Sequence, residues 1–396
     1  MNIKSILLGA SAAALAATGA QAADLPVAPE PVDYVRVCDA FGTGFFYIPG
    51  TETCLKIGGG VRVEARMNDV LDGGGQNWDD RSDDATTFRA RAYMNFDSRT
   101  NTEYGLLRTY VATYATVDQS YGGVAWTLDE AFIQLGGFVA GRTGSYFDFY
   151  TGDNWGAALN QGFADRGDVN LFAYTFQFGN GFSASASVES PARRGVIGGP
   201  LAGNQYGGHK IPDFVANLRV DQGWGSAQIM GAVTHVYGLN QPGFFGGESK
   251  VGWAIGAGAT FNLPMIAAGD SFSLQAAYAS GAVGYVNQNF TAFSDANYNA
   301  AGSLKLSNAW GIGAGFTHFW TPAISSSLTA SYSALDQSVG GDDFQELNVQ
   351  GNLMWRPVSG LYFGAELEYR GRFDGIAGTA ADNDALVGIF RVQRTF

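Results

Sequence analysis

The chain has 396 residues, with 23 lysines and arginines against 36 aspartates and glutamates, giving a formal net charge of -13. That acidic surplus excludes a nucleic-acid partner, which needs basic surface to neutralise phosphates. Charged residues make up 15% of the chain, while aromatics reach 14% and glycine occurs 56 times, a balance that suits membrane-crossing strands joined by polar loops rather than a soluble surface.

At the start of the chain, Lys4 precedes an uncharged run from Ser5 to Gly19 and then Ala20-Gln21-Ala22. A positive charge, an apolar stretch and a small-x-small pattern predict a cleaved export signal over 1–22, with the mature chain beginning near Ala23. Export carries Cys38 and Cys54 into an oxidising compartment, so a disulfide between them is expected, the alternative being two free thiols. The segment 23–56 that holds them is expected to lie in the periplasm, ahead of the first strand.

Beyond the signal no stretch has the about 18–20 consecutive apolar residues of a membrane-spanning helix. The nearest approach is Gly252 to Ala268. There Trp253, Ile255, Ala257, Ala259, Phe261 and Leu263 alternate with Gly252, Ala254, Gly256, Gly258, Thr260 and Asn262. Large residues on one side and small ones on the other, at period two, signal a strand. The same alternation marks Val61 to Arg66, where valine and alanine alternate with Arg62, Glu64 and Arg66. It also marks Phe88 to Asp97, where Phe88, Ala90, Ala92, Met94 and Phe96 oppose Arg89, Arg91, Tyr93, Asn95 and Asp97.

Runs of about 9–11 residues cross a bilayer when tilted. Such runs are predicted at 57–66, 86–98, 103–116, 127–135, 138–143, 169–178, 182–190, 212–221, 224–237, 250–263, 270–281, 306–319, 324–336, 344–357, 360–373 and 384–396. This gives an all-β, antiparallel transmembrane β-barrel over 57–396 with sixteen strands, fourteen or eighteen being the alternatives. Connections alternate short (Gly179-Asn180-Gly181, Gln222-Gly223, Val358-Ser359-Gly360) and long (67–85, 144–168, 191–211, 238–249, 282–305), the rhythm of tight periplasmic turns and longer external loops. Trp224, Tyr237, Trp253, Trp310, Trp320, Trp355, Tyr362 and Tyr369 fall near strand ends and are candidates for the aromatic girdles at the two membrane interfaces. The chain ends on Phe396, preceded at alternate positions by Val392, Phe390 and Leu386, with Arg394 interrupting the apolar series.

Two segments carry a more specific signal. The string from Glu30 to Gly42, including Cys38, and the string from Gly44 to Ile57, including Cys54, resemble the N-terminal region of the alphaproteobacterial porins. The ending from Phe390 to Phe396 is similar to that family's ending. The resemblance implies a sixteen-stranded barrel in the outer membrane, a homotrimer, a structural Cys38–Cys54 pair and a third external loop folded inward to narrow a water-filled pore. It implies passive diffusion of small hydrophilic solutes and ions, contact with outer-membrane lipid and lipopolysaccharide, and no cofactor, metal or catalytic group.

A barrel of about sixteen strands leaves an aqueous channel, whose selection depends on its diameter and on the charges at its narrowest part. Arg62, Arg66, Arg89 and Arg91 occupy the polar phase of their strands and are expected to face the lumen, since arginine towards lipid at mid-depth costs roughly 2–4 kcal/mol. Arg108 is ambiguous in phase, and the same cost assigns it to the lumen. The connection from Gly144 to Asp168 sits in the place of the constriction loop and brings Asp148, Asp153, Asp165 and Asp168, with Arg166 among them. The expectation is a field across the pore, arginines on the wall and carboxylates on the loop.

Other constellations carry less. The run from Trp78 to Asp84 lacks the ligand order and glycine of a calcium loop, and Gly73-Gly74-Gly75 lacks the strand-to-helix setting of a phosphate cradle. A hydrolase would need a serine, a base and an orienting group, whereas the three histidines are His209 in a loop and His235 and His318 beside aromatic rings. A sugar-selective channel is the alternative, with Tyr146, Phe147, Phe149, Tyr150 and Trp155 as its candidate aromatic track. A plugged receptor is disfavoured because only about thirty residues separate the signal from the first strand.

Overall fold

The computed structural model describes residues 36–71, 84–119, 122–163, 166–191, 195–198, 205–241, 245–292, 294–337, 339, 343–373 and 383–396. The export signal over 1–22, the glycine run 73–75 and most of the acidic run at 78–84 lie outside the described residues. Within them are sixteen long strands: β1 (Cys54–Met67), β2 (Thr86–Thr102), β3 (Gly105–Asp118), β4 (Ala125–Leu135), β5 (Phe138–Gly144), β6 (Asp168–Gly179), β7 (Phe182–Glu189) and β8 (Asp213–Gln222), followed by β9 (Gly225–Tyr237), β10 (Ser249–Asn262), β11 (Ser271–Ser280), β12 (Asn308–Thr321), β13 (Ile324–Asp336), β14 (Phe344–Val358), β15 (Leu361–Phe373) and β16 (Asn383–Thr395).

Each strand pairs antiparallel with its neighbours in sequence, and β16 pairs with β1 from Gly60 opposite Thr395 to Met67 opposite Gly388, so the sheet closes into a barrel. Closure removes the unpaired edge that a membrane would not tolerate. Connections at one end are tight, and that end holds the start of β1 and the end of β16. Between β6 and β7 the chain reverses through Gly179, Asn180 and Gly181, all at positive φ (85°, 51° and 81°), a conformation that glycine and asparagine adopt at low cost.

The period-two pattern has its physical outcome in exposure. Val61, Val63, Phe88, Met94 and Phe96 point outward and are exposed, while Glu64 and Asp97 on the alternate phase are buried. In β10 the large side faces out (Val251, Trp253, Ile255) and the small side, including Ala254, is buried inside. The first strand begins at Cys54 rather than 57, because Cys54 and Leu55 already pair with Arg99 and Ser98. Cys38 and Cys54 form a disulfide with Cα atoms 6.0 Å apart, tying the preceding segment to the barrel, where Phe46–Tyr47 adds a two-residue strand beside β1.

Most of the candidate girdle rings point outward: Trp224, Trp253, Trp310, Trp320 and Trp355 are exposed. Two of them differ from expectation. Tyr362 is on the inner phase of β15, where it donates to Gln393 Oε1 at 3.0 Å and lies beside Trp155. Tyr237 is buried beneath neighbouring loop segments, its carbonyl accepting from Gly207. His318 stacks edge-on against Trp320 on the outer face and meets Asp270 Oδ2 at 2.7 Å. Arg394 sits at the turn, where Nη1 donates to the Ser359 carbonyl.

Candidate functional site

The inner face of β1, β2, β3 and β16 is an arginine wall. Cross-strand register arranges it in rungs. One rung reads Arg391, Glu64, Arg89 and Asp118, and the next reads Gln393, Arg62, Arg91 and Thr116. Glu64 is fully buried and accepts from Arg66 Nη2 at 2.6 Å and Arg391 Nε at 2.8 Å, with Arg62 Nε 3.1 Å away. Arg89 holds Asp118 through two bonds, the longer 2.7 Å. Towards the tight-turn end Asp97 accepts from both Arg99 and Arg108, each in a two-pronged pair at 2.7–3.0 Å. Arg91 bonds Thr116 Oγ1 at 2.8 Å and lies 4.1 Å over the Tyr114 ring.

The β5–β6 connection, 145–167, is held by side chains from the inner faces of other strands. Ser145 and the Tyr146 N–H donate to Glu189 of β7 at 2.7 and 3.0 Å, and the Tyr150 N–H donates to Gln275 of β11 at 2.9 Å. Five consecutive backbone N–H groups then meet two carboxylates of β15. Trp155 and Gly156 donate to Glu366 at 2.8 and 3.1 Å, and Ala157, Ala158 and Leu159 donate to Glu368 at 2.7, 3.1 and 2.5 Å. Ser331 of β13 and Gln350 of β14 donate to the carbonyls of Gln161 and Leu159, both at 2.6 Å.

Glycines make room for this segment. A Cβ at Gly313 would stand 2.8 Å from the Phe163 ring, one at Gly364 2.7 Å from Trp155, and one at Gly315 would strike the Tyr150 hydroxyl. The small inner phase of β12 and β15 is thus a set of sockets, and Phe147 and Tyr150 are buried in the packing. An aromatic track for sugars would need those rings along the solute path. Burial pushes the Tyr150 phenol up, so it stays protonated and donates to Asp153 at 3.0 Å.

A second long connection, 281–307, packs against the first. Val283, Tyr285, Val286 and Phe290 are fully buried. Tyr285 donates to Asp213 at 2.9 Å, Asn287 to Glu346 and Ser333 at 3.1 and 2.8 Å, and Asn289 to Glu346 at 2.8 Å. It meets the 145–167 segment where Phe147 stacks edge-on with Tyr285 and Asn160 donates to Asn289 at 2.9 Å. Beside these segments, towards the tight turns, a cavity of about 860 Å³ opens between Arg108, Phe132, Tyr146, Phe149, Asn217 and Arg219.

All five arginines singled out in the sequence, Arg62, Arg66, Arg89, Arg91 and Arg108, lie on the inner face. The loop carboxylates have local partners. Asp148 accepts the N–H groups of Arg166 and Gly167 at 2.7 and 2.9 Å, closing the base of the loop. Asp168 is the first residue of β6, and its carbonyl accepts from Arg142 at 2.8 Å. Asp165 lies outside the described residues. Sequence reasoning passed over the carboxylates that matter to the geometry: Glu64 and Asp97, which it placed on a polar phase, and Glu366, Glu368 and Glu189. Their signal was the same alternation, with acids at the alternate positions 366 and 368 of β15, but what Glu366 and Glu368 bind is a loop some two hundred positions away.

A family model described as the Porin subfamily matches residues 24–388. The porin Omp2b of Brucella abortus is 35% identical over 416 residues, covering all of both chains. Among solved structures, the outer membrane channel DcaP of Acinetobacter baumannii shares the fold with a TM-score of 0.66 at 15% identity, over 88% of this chain and 99% of that one. The trimer form of OmpT of Vibrio cholerae does so with a TM-score of 0.53 at 10% identity, over 87% and 100%.

Proposed function

The chain belongs to the porin subfamily and is an outer-membrane channel for passive diffusion, and from that premise we propose how its lumen is narrowed. The segment 145–167 lies across the barrel as the constriction loop, and solutes pass between it and the arginine wall. The observation that carries this reading is the row of five backbone N–H groups bonded to Glu366 and Glu368. Those bonds hold the loop against β15, where Trp155 also meets Arg391 of β16, and leave the inner face of β1 to β3 as the free side of the passage.

The field differs in detail from a simple opposition of arginines and loop acids. The wall carries its own carboxylates, Glu64, Asp97 and Asp118, and the loop contributes Asp153 and Asp148. Arg62, Arg66, Arg89, Arg91 and Arg108 line one side, and dipolar solutes are oriented in passing. Residues 1–22 act as a cleaved signal, 23–56 lie in the periplasm, and the outer face meets lipid and lipopolysaccharide. The working assembly is a homotrimer, a reading supported by the family and by the trimer form of the OmpT relative in fold.

Single-channel recording of the refolded protein in planar bilayers is the test. Stepwise conductance, ohmic at low voltage, is expected. Correctly inserted protein that carries no current would overturn the open-pore reading.

A further inference from the structure

The arginine wall contains an arrangement that sheets ordinarily avoid. Arg62 on β1 stands directly opposite Arg91 on β2, and like charges facing each other across strands are destabilising. The rung that holds them, Gln393, Arg62, Arg91 and Thr116, contains no carboxylate. Its neighbour, Arg391, Glu64, Arg89 and Asp118, alternates in sign and is internally neutral. Arg66 adds a further positive charge to Glu64, so five arginines share two carboxylates over this patch of wall.

The local partners leave donor capacity. Arg62 Nε lies 3.1 Å from Glu64 Oε1, buried and out of hydrogen-bonding geometry, so what Arg62 offers a solute is the 13% of its side chain that stays exposed. Arg91 is held by a hydroxyl and by the Tyr114 ring, neither of which neutralises it. Arg62 lies 5.4 Å over the Tyr93 ring. Gln393 accepts from Tyr362 with its carbonyl oxygen, which turns the amide NH₂ into the available end. Two guanidiniums, an amide donor and a hydroxyl on one rung are the functional groups of an oxyanion seat, since a guanidinium presents a planar fork of donors suited to carboxylate or phosphate oxygens.

We propose that the Arg62–Arg91 rung is a transient binding station for small oxyanions, inorganic phosphate and carboxylate-bearing solutes, within the pore. This rests on the open-pore reading above, and it names a solute class for that pore in spite of the net acidity of the chain. A phosphate or carboxylate bridging the two guanidiniums relieves their repulsion. Arg62 keeps 13% of its side chain exposed, so an anion meets it only at the edge of its guanidinium, and the station proposed is weak and compatible with release.

The test uses full-length refolded protein in planar bilayers, with chloride replaced by inorganic phosphate at matched ionic strength and pH 7. Wild type is expected to show a saturable, phosphate-dependent fall in chloride current. In Arg91→Gln the concentration for half effect rises about tenfold, the factor that loss of one charge-assisted hydrogen bond corresponds to, and the reversal potential in a potassium chloride gradient moves towards cations. Arg91→Lys, which keeps the charge and loses the fork, retains the reversal potential but only part of the phosphate effect. Unheated gel mobility checks that each variant is folded. Phosphate that is inert on a conducting wild-type channel, or equally effective on wild type and Arg91→Gln, overturns the seat and leaves the pore standing. Folded protein without any conductance overturns both.

Discussion

Glu366 and Glu368 do at the residue scale what the arginines cannot do alone. Each is an acid on the inner phase of β15, buried, and satisfied by the backbone of the 145–167 segment rather than by a cation of its own strand. A buried N–H left without an acceptor costs about 1–3 kcal/mol, so truncating both acids to alanine frees five donors at once and the segment leaves its site. The expected outcome for Glu366→Ala/Glu368→Ala is a folded barrel whose single-channel current is larger and noisier than wild type. A steady, unchanged current level would show that these carboxylates do not position the loop. The phase of both residues was legible from alternation alone. Their partners were not, because hydrogen bonding to a distant backbone leaves no local trace in the sequence.

At the scale of elements, the sequence reading treated the long connections as a rhythm and singled out one of them. The 281–307 connection turned out to be as well packed as many cores, with Val286 seated against Gly311, where an added Cβ would come within 3.1 Å, and Phe290 against Phe344 at 5.4 Å between ring centroids. Its strand Ala296–Tyr298 also pairs with Leu304–Leu306 and, in parallel, with Val196–Gly198. Replacing 283–290 by a glycine-serine linker removes the support under Phe147 and Asn160. We expect the barrel to assemble and the conductance to rise, measured in the same bilayer assay. A current equal to wild type would mean that the 145–167 segment holds its position without this second connection. Composition gave little warning: 281–307 contains few charges and several apolar residues, which a solvated loop would not need, and that was the available signal.

For the molecule as a whole, the outward apolar band and the closed hydrogen-bond ring are the two conditions for residence in a bilayer. Ile312 lies on the exposed face of β12 with 49% of its surface accessible, flanked inside by the glycine sockets at 311 and 313. Ile312→Arg is expected to destabilise the folded barrel in lipid vesicles by about 2–4 kcal/mol if the residue is near mid-depth, read as a lower urea midpoint. An unaltered midpoint would mean that this face is covered by something other than hydrocarbon, such as a neighbouring subunit.

Strand phase, the alternation of short and long connections, and the inward direction of Arg62, Arg66, Arg89 and Arg91 were determined by the sequence itself, because a two-residue period and the cost of charge in lipid act locally, whereas the count of sixteen over fourteen or eighteen was fixed by closure of the sheet. Tertiary structure alone decided which strands meet at closure, that Glu64 sits among Arg62, Arg66 and Arg391, that Arg62 faces Arg91, and which carboxylates hold the 145–167 segment. Those facts depend on register between strands and on chain segments brought together only when the sheet curls and closes, so no window of sequence contains them.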